Sequence, residues 1–350
     1  MIIMKNNPLK LKISEKYNKK SMHIFNESSF KTVYSFDFKS GNGKMVSYAV
    51  FPGIYLVHNE IHGFEINEFK RIDSNQEITI NHCKKGRFEC KFKGKYHYLE
   101  EGDLVVATKT SEKSYSTFPL GYYEGIEIYI NKKSAKSFLK NVFGYSFDLN
   151  EIYNKISENN DFLLIKSTEE IEHIFNEMYY VDEKIQKMYF KLKVLELFLF
   201  LKITPLNNTI ENRPKFSKKQ VETIKAIKKE LIKNIHNPIT LEYLSKKYNI
   251  SITSLKTSFK AIYGKPVYAW RKEYRLQIAK ELLNKEDYKI SEIANKVGYK
   301  NPSKFSAAFK EYYKLTPSQY RLQKNKSIYL FCLFGLFCLF SSIIFIYFLC

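Results

Sequence analysis

Residues 241–271 match residues 290–321 of the same chain at a shift of 49 to 50 positions, and this internal repeat constrains the fold more than any other feature. Leu241, Leu244, Ser245, Tyr248, Asn249 and Ile250 correspond at a shift of 49 to Ile290, Ile293, Ala294, Val297, Gly298 and Tyr299. After one inserted residue, Leu255, Phe259, Lys260, Tyr263, Trp270 and Arg271 correspond at a shift of 50 to Phe305, Phe309, Lys310, Tyr313, Tyr320 and Arg321. The insertion falls in a turn, where an extra residue costs least. Each copy reads as a short helix, a tight turn and a second helix. Apolar residues three and four apart pack the first helix, the small Ser245 or Ala294 permits close helix approach, and Asn249 or Gly298 supplies a left-handed turn residue. Ser251 and Asn301 then stand as N-caps of the second helices, whose inward faces carry Leu255 and Phe259, or Phe305 and Phe309. The first two turns of each second helix are left exposed and polar. A helix presented this way fits the major groove of DNA, where base pairs are distinguishable.

Charge points to the same region. The chain carries 57 Lys and Arg against 36 Asp and Glu, a net +21 over 350 residues, of which residues 215–326 supply +17. A basic excess confined to one third of the length predicts a polyanionic partner there, because neutralising phosphates releases counterions. A generic helical bundle with a solvated Lys-rich face accounts for the helical period, but not for the repeat or its coincidence with the charge.

The rest of the chain divides by periodicity. Residues 1–45 are Lys-, Asn- and Ser-rich without sustained period and read as a loosely ordered lead-in. Residues 46–131 change to short β-type runs, GIYLVHN, FEINEFKRI, EITINHC, RFECKFK, YHYLEEGDLVVA and YEGIEIYI, with Gly102 and Asp103 as a turn. Such spacing predicts an antiparallel sandwich or small barrel of jelly-roll type, able to enclose a small ligand. Residues 132–204 turn helical, and the longest stretch sets Met188, Leu192, Leu195 and Leu199 on one stripe, widened by Phe198, Phe200 and Leu201. That stripe is expected to bury within its own domain, with contact to a second copy as the alternative. Residues 205–216 read as a linker, residues 217–322 as the double helix-turn-helix domain, and residues 327–350 as an apolar tail. The fold class is therefore α+β: a β-rich, jelly-roll-like sensor domain with a helical extension, an all-α C-terminal domain and an apolar tail helix.

Residues 217–322 resemble the DNA-binding domain of AraC/XylS-type transcription regulators. The resemblance rests on Ile290-Ser-Glu-Ile-Ala-Asn-Lys-Val-Gly-Tyr299, Phe305-Ser-Ala-Ala-Phe-Lys310 and Thr316-Pro-Ser-Gln-Tyr-Arg321, joined by Arg275-Leu276, Ala279 and Leu282-Leu283. It implies seven helices, a long central one over about residues 267–284, and two reading helices entering successive major grooves about 34 Å apart. Base contacts carried over by position fall on Thr253, Lys256 and Thr257 in the first unit and on Ser303, Lys304 and Ser306 in the second. Arg271, Arg275, Lys310 and Arg321 are expected to clamp the DNA backbone, with Arg271 equally readable as a structural residue. Two departures stand out: Ala307 replaces a frequent basic residue, and Lys314 replaces the usual glycine before the Thr-Pro, so that turn is expected to be strained or remodelled.

The implied function is sequence-specific DNA binding that regulates transcription, with double-stranded DNA as partner, a small-molecule effector on the N-terminal domain and a homodimer as further partners. The alternatives are a nonspecific architectural DNA binder and a cupin-type enzyme. No cofactor is expected. No CxxC pair, HExxH segment, phosphate loop or nucleophile elbow occurs. A metal cluster of His62, His82 and Glu89 is conceivable, but packed or solvated histidines are the simpler reading. The N-terminus lacks a secretory layout, which places the chain in the cytoplasm. Residues 328–350 hold no charged side chain and are long enough to cross a bilayer. They read either as a tail anchor in the inner membrane or as an accidental extension.

Overall fold

Alternation of apolar residues with period two organises the N-terminal half into two antiparallel sheets. The computed structural model describes residues 22–38, 41–66, 77–92, 94–108, 116–143, 148–158, 161–204, 214–285 and 288–323. It divides into one unit of Met1–Val221 with Ala261–Gly264 and a second of Glu222–Lys260 with Lys265–Cys350.

In the first unit the larger sheet joins β1 (Met22–Glu27), β2 (Lys31–Phe38), β3 (Gly41–Phe51), β4 (Ile54–His62), β11 (Tyr122–Asn131), β6 (Glu77–Gly86), β9 (Leu104–Ala107) and β12 (Phe162–Ile165), in that spatial order. The smaller joins β5 (Glu65–Ile66), β10 (Ser116–Thr117), β7 (Phe88–Phe92) and β8 (Lys95–Leu99). Side chains on a strand point alternately to opposite faces, so the large sheet is apolar on both. Tyr34, Phe36, Val57, Ile61, Val105 and Tyr123 face a core shared with Phe88 and Leu99 of the smaller sheet. Leu56, Ile80, Val106, Ile126 and Ile128 face a second core under the helices α1 (Lys132–Phe143), α2 (Leu149–Glu158), α3 (Glu169–Tyr180) and α4 (Gln186–Ile203). Each large side chain so buried contributes on the order of 2 kcal/mol. Gly102 takes φ 83° between β8 and β9, and Asp103 Oδ2 accepts from the Glu100 amide at 2.7 Å, closing that turn.

Four expectations are corrected here. Residues 22–45 are not a loosely ordered lead-in, because Thr32, Tyr34 and Phe36 alternate inward and build β2 between β1 and β3. The run FEINEFKRI contributes only the two-residue β5, its residues 67–72 lying outside the described residues. The linker is not free at its end: Phe216 is buried and exchanges backbone hydrogen bonds with Tyr96. Residues 205–213 lie outside the described residues.

The fourth correction concerns the membrane. Among the described residues no helix is long and apolar enough to cross a bilayer. Residues 328–350, which carried the anchor expectation, lie outside the described residues. The inner-membrane location and the membrane as a partner are withdrawn.

The second unit is helical throughout. It comprises α5 (Lys218–Lys233) from Glu222 onward, α6 (Leu241–Tyr248), α7 (Ile252–Tyr263) up to Lys260, α8 (Val267–Lys285), α9 (Ile290–Lys296), α10 (Pro302–Tyr313) and α11 over residues 317–323. α5 opens on a capping box in which Ser217 Oγ accepts from the Gln220 amide at 3.2 Å and Gln220 Oε1 from the Ser217 amide at 2.9 Å. α8 extends about 28 Å at 1.5 Å per residue and separates the two copies of the repeat. Its Leu276, Ala279 and Leu283 pack with Ile293, Ala294, Val297, Phe305 and Phe309 as the core of the second copy.

Candidate nucleic-acid interface

In both copies the turn and the cap that begin the outer helix are built from local chemistry. Asn249 ends α6 in the left-handed region at φ 48°, and its counterpart Gly298 follows α9 at φ 86°. Ser251 Oγ then accepts from the Ser254 amide at 3.2 Å at the start of α7. Asn301 Oδ1 accepts from the Ser303 and Lys304 amides at 2.8 and 3.2 Å at the start of α10, with Pro302 in its first turn. Leu255, Phe259, Phe305 and Phe309 face inward and are fully buried.

That anchoring leaves a defined outer face. Thr253, Lys256, Thr257 and Lys260 are exposed on α7, at positions i, i+3, i+4 and i+7 of one helical stripe. On α10 the equivalent stripe is Ser303, Ser306, Ala307 and Lys310, with Lys304 beside it; Ser306 is half-buried and the others are exposed. α7 contains no carboxylate, and the acidic residue of α10, Glu311, is held by Lys272 at 2.7 Å at the far end. Lys260 was not singled out from the sequence, although the repeat equates it with Lys310.

The arginines are placed differently from expectation. Arg271 is 6% exposed, and its Nη2 donates to the Asn234 carbonyl at 2.8 Å and to that of Asn237. Arg275 donates from Nε and Nη2 to the Ile235 carbonyl at 2.9 and 2.6 Å. Both guanidinium groups therefore close the carbonyl end of α5, where unpaired carbonyls and the helix dipole favour a cation. Burial lowers the Arg271 pKa to about 10, which leaves it charged at neutral pH. Arg321 does the same in the second copy, donating from Nη2 to the Tyr288 carbonyl at 2.7 Å. These three side chains brace the repeat by donating to backbone carbonyls. Lys310 remains exposed on the outer face. Lys314, at the glycine position, ends α10 at φ 62°, so the turn is kept at a cost in strain and not remodelled.

The unit also holds a buried acid. Glu230 on α5 accepts from Lys247 Nζ at 2.7 Å, Tyr248 Oη at 2.6 Å and Tyr243 Oη at 3.0 Å. Burial acts to raise its pKa, but these three donors outweigh it and hold the carboxyl below the usual range.

In the sheet domain, Lys44, Val46, His58, Glu60, Glu124 and Tyr179 line a cleft of about 180 Å³ between the large sheet and α3. Lys84 Nζ binds Glu124 at 2.6 Å and lies over the Tyr179 ring. Tyr179 Oη meets His82 Nδ1 at 3.1 Å, and His82 stacks on Phe175 at 4.1 Å. The Nε2 atoms of His58 and His82 are both buried without a protein partner among the described residues. Burial lowers the pKa of His58 to about 4 and of His82 to about 3, so both rings are neutral at pH 7. The three residues weighed as a metal cluster are not brought together. His62 is exposed beside Glu60, His82 stacks in the core, and Glu89 accepts from Tyr98 and Thr117. Among the described residues no group of His, Cys, Asp or Glu is arranged to hold a metal.

Known proteins align with this arrangement chiefly over the repeat. A family model described as a helix-turn-helix domain matches residues 244–323. The HTH-type transcriptional regulator AlkR of Acinetobacter baylyi is 36% identical over 86 residues, covering 25% of this chain and 28% of its own. The HTH-type transcriptional regulator ExsA of Pseudomonas aeruginosa is 26% identical over 136 residues, covering 39% of this chain and 48% of its own. The matches thus span less than half of either relative's length. A longer alignment, 23% identical over 264 residues, covers 70% of this chain and 84% of the lactose operon transcription activator of Staphylococcus xylosus.

Proposed function

From a chain that belongs to the AraC/XylS family of helix-turn-helix transcription regulators through its C-terminal region, we infer a sequence-specific DNA-binding regulator, in a non-catalytic family. The observation that carries this reading is the pair of equivalent outer faces on α7 and α10, polar, basic and free of competing carboxylate at their exposed first turns. Thr253, Lys256 and Thr257, with Ser303, Lys304 and Ser306, read base edges. Lys260 and Lys310 neutralise phosphate at the end of each stripe. Ala307 offers no polar group, so the first unit carries more of the discrimination than the second. Activation of target genes is favoured over repression by the name of one relative aligned over most of this chain, a lactose operon transcription activator.

The jelly-roll-like sheet domain supplies the effector site. The cleft beside His58 suits a small polar molecule, because His58, Lys44, Glu60, Glu124 and Tyr179 line it. Selection of fragments bound from the source genome, followed by titration of the winners against random DNA, tests the function. A preferred sequence is the expected result. Equal affinity for all DNA would leave only the architectural reading, and no binding at low salt would remove both.

A further inference from the structure

The cleft under α3 lies on the helix side of the large sheet, not between the two sheets. Along β4 the side chains of Leu56, His58 and Glu60 share one face, and Leu56 packs in the core beneath the helices. The space between the sheets is filled by Phe36, Phe88, Phe118 and Tyr123.

Three charges of mixed sign form one row across the cleft. Lys44 on β3 stands directly opposite Glu60 on β4, and Glu60 directly opposite Glu124 on β11. Neighbouring strands lie about 4.8 Å apart, so the row is about 10 Å long, and all three side chains line the cleft. Opposite charges facing each other across a strand pair ordinarily bind, and like charges repel. Glu124 is already neutralised: it accepts from Lys84 Nζ at 2.6 Å and from the Tyr122 hydroxyl at 2.9 Å, with Lys85 Nζ 3.8 Å away. Lys44 and Glu60, by contrast, do not bind each other. Among the described residues Lys44 makes no ion pair, and the Glu60 carboxylate meets only the exposed His62 imidazole, at 3.1 Å. One ammonium and one carboxylate, a strand apart and both exposed, are therefore open to a ligand.

Volume and lining select among small polar molecules. The cleft of about 180 Å³ has room for about six waters, well below sites for drug-sized ligands. Val46 and the Tyr179 ring are too little apolar surface to hold a hydrocarbon chain. A simple anion would meet Glu60 and Glu124 as like charges, and a simple cation would meet Lys44 and Lys84. A neutral polyol would gain hydrogen bonds but give neither Lys44 nor Glu60 a counter-charge. A molecule with an ammonium and a carboxylate close together satisfies both.

We propose that this cleft takes a small zwitterion of the α-amino acid class, with Lys44 holding its carboxylate and Glu60 its ammonium. This rests on the reading of the cleft as the effector site and names the class of effector.

Calorimetric titration of the full-length chain with the standard L-amino acids tests this, with D-glucose as the neutral polyol. The tightest binder is then compared with the amine that lacks its carboxylate and the acid that lacks its ammonium; for L-valine these are isobutylamine and isovalerate. At least one amino acid is expected to bind, and loss of either charge from it to weaken binding by about tenfold or more. Lys44→Gln should weaken the amino acid by a similar factor and abolish its advantage over the amine. Glu60→Gln should likewise abolish its advantage over the acid. Both positions are exposed, so circular dichroism should be unchanged. A chain that binds no amino acid at about 10 mM, or binds D-glucose or the single-charge acid as tightly, would overturn the zwitterion. Undiminished affinity in both variants would overturn the site. DNA affinity with and without the bound amino acid is a separate readout: binding that leaves it unchanged would keep the site and remove the effector reading.

Discussion

Arg271 Nη2 donates to the carbonyl of Asn234 at 2.8 Å, tying the central helix of the C-terminal unit to the end of its first helix. Arg321 and Tyr288 repeat the tie in the second copy. Arg271→Ala should therefore cost about 2–4 kcal/mol of stability, since it leaves buried carbonyls unpaired. It should leave the salt dependence of DNA binding unchanged in protein that remains folded. Denaturant titration and binding at several salt concentrations measure both. Full stability with a flatter salt slope would mean that Arg271 touches phosphate after all.

The two exposed lysines of α7 should separate by role. Lys256 lies in the middle of the stripe, and Lys256→Ala is expected to lower discrimination at particular base pairs by about 1–3 kcal/mol. Lys260 lies one turn further on, and Lys260→Ala should weaken binding to all sequences alike and reduce the salt slope by about one. Equal losses on preferred and random DNA for Lys256→Ala would remove its base-reading role.

Much of the C-terminal unit was legible because its signals are local. Apolar spacing, a left-handed turn residue and a cap lie within a few positions of one another at Asn249–Ser251 and again at Gly298–Asn301. The arginines were not legible: a basic residue on a helix looks the same whether it reaches for phosphate or for the carbonyls of Asn234 and Ile235. On α4 the choice of stripe failed, with Met188, Leu192 and Leu199 exposed and Phe190, Val194 and Leu197 buried instead, because apolar residues surround the helix, leaving no polar face to set the phase. β2 was missed since Lys31, Ser35 and Asp37 hid the alternation of Thr32, Tyr34 and Phe36. The cleft at His58 depends on α3 lying over β4, more than a hundred residues away in sequence, and no local pattern announces it.

Lys314 occupies the left-handed position that Gly264 fills in the first copy, at φ 62° and 78° respectively. A side chain there costs about 1–2 kcal/mol, part of which glycine would lose again through its freer unfolded chain. Lys314→Gly is expected to stabilise the C-terminal unit by about 0.5–1 kcal/mol, a rise of a few degrees in melting temperature. Calorimetry of the full chain decides, and a lower melting temperature would show that the Lys314 Nζ bond to the Glu311 carbonyl matters more than the strain.

The sheet domain should weaken on mild acidification. His58 and His82 are held neutral by burial, with pKa values of about 4 and about 3 against 6.5 in an unfolded chain. The unfolded state therefore binds more protons between those limits. The stability these rings contribute is complete above about pH 6.5 and is lost as the pH falls toward the folded values. By pH 5 the loss is on the order of 2 kcal/mol for each ring. Hydrogen exchange of amides in β4, β6 and β11 at pH 7 and pH 5, corrected for intrinsic rates, reports this directly. His97 on β8 is likewise held neutral by burial, its pKa lowered to about 4, so His82→Leu should remove about a third of the pH dependence, because the stacking place on Phe175 is kept apolar while the titrating group is gone. Protection that falls equally in wild type and His82→Leu would place the acid sensitivity elsewhere in the sheet.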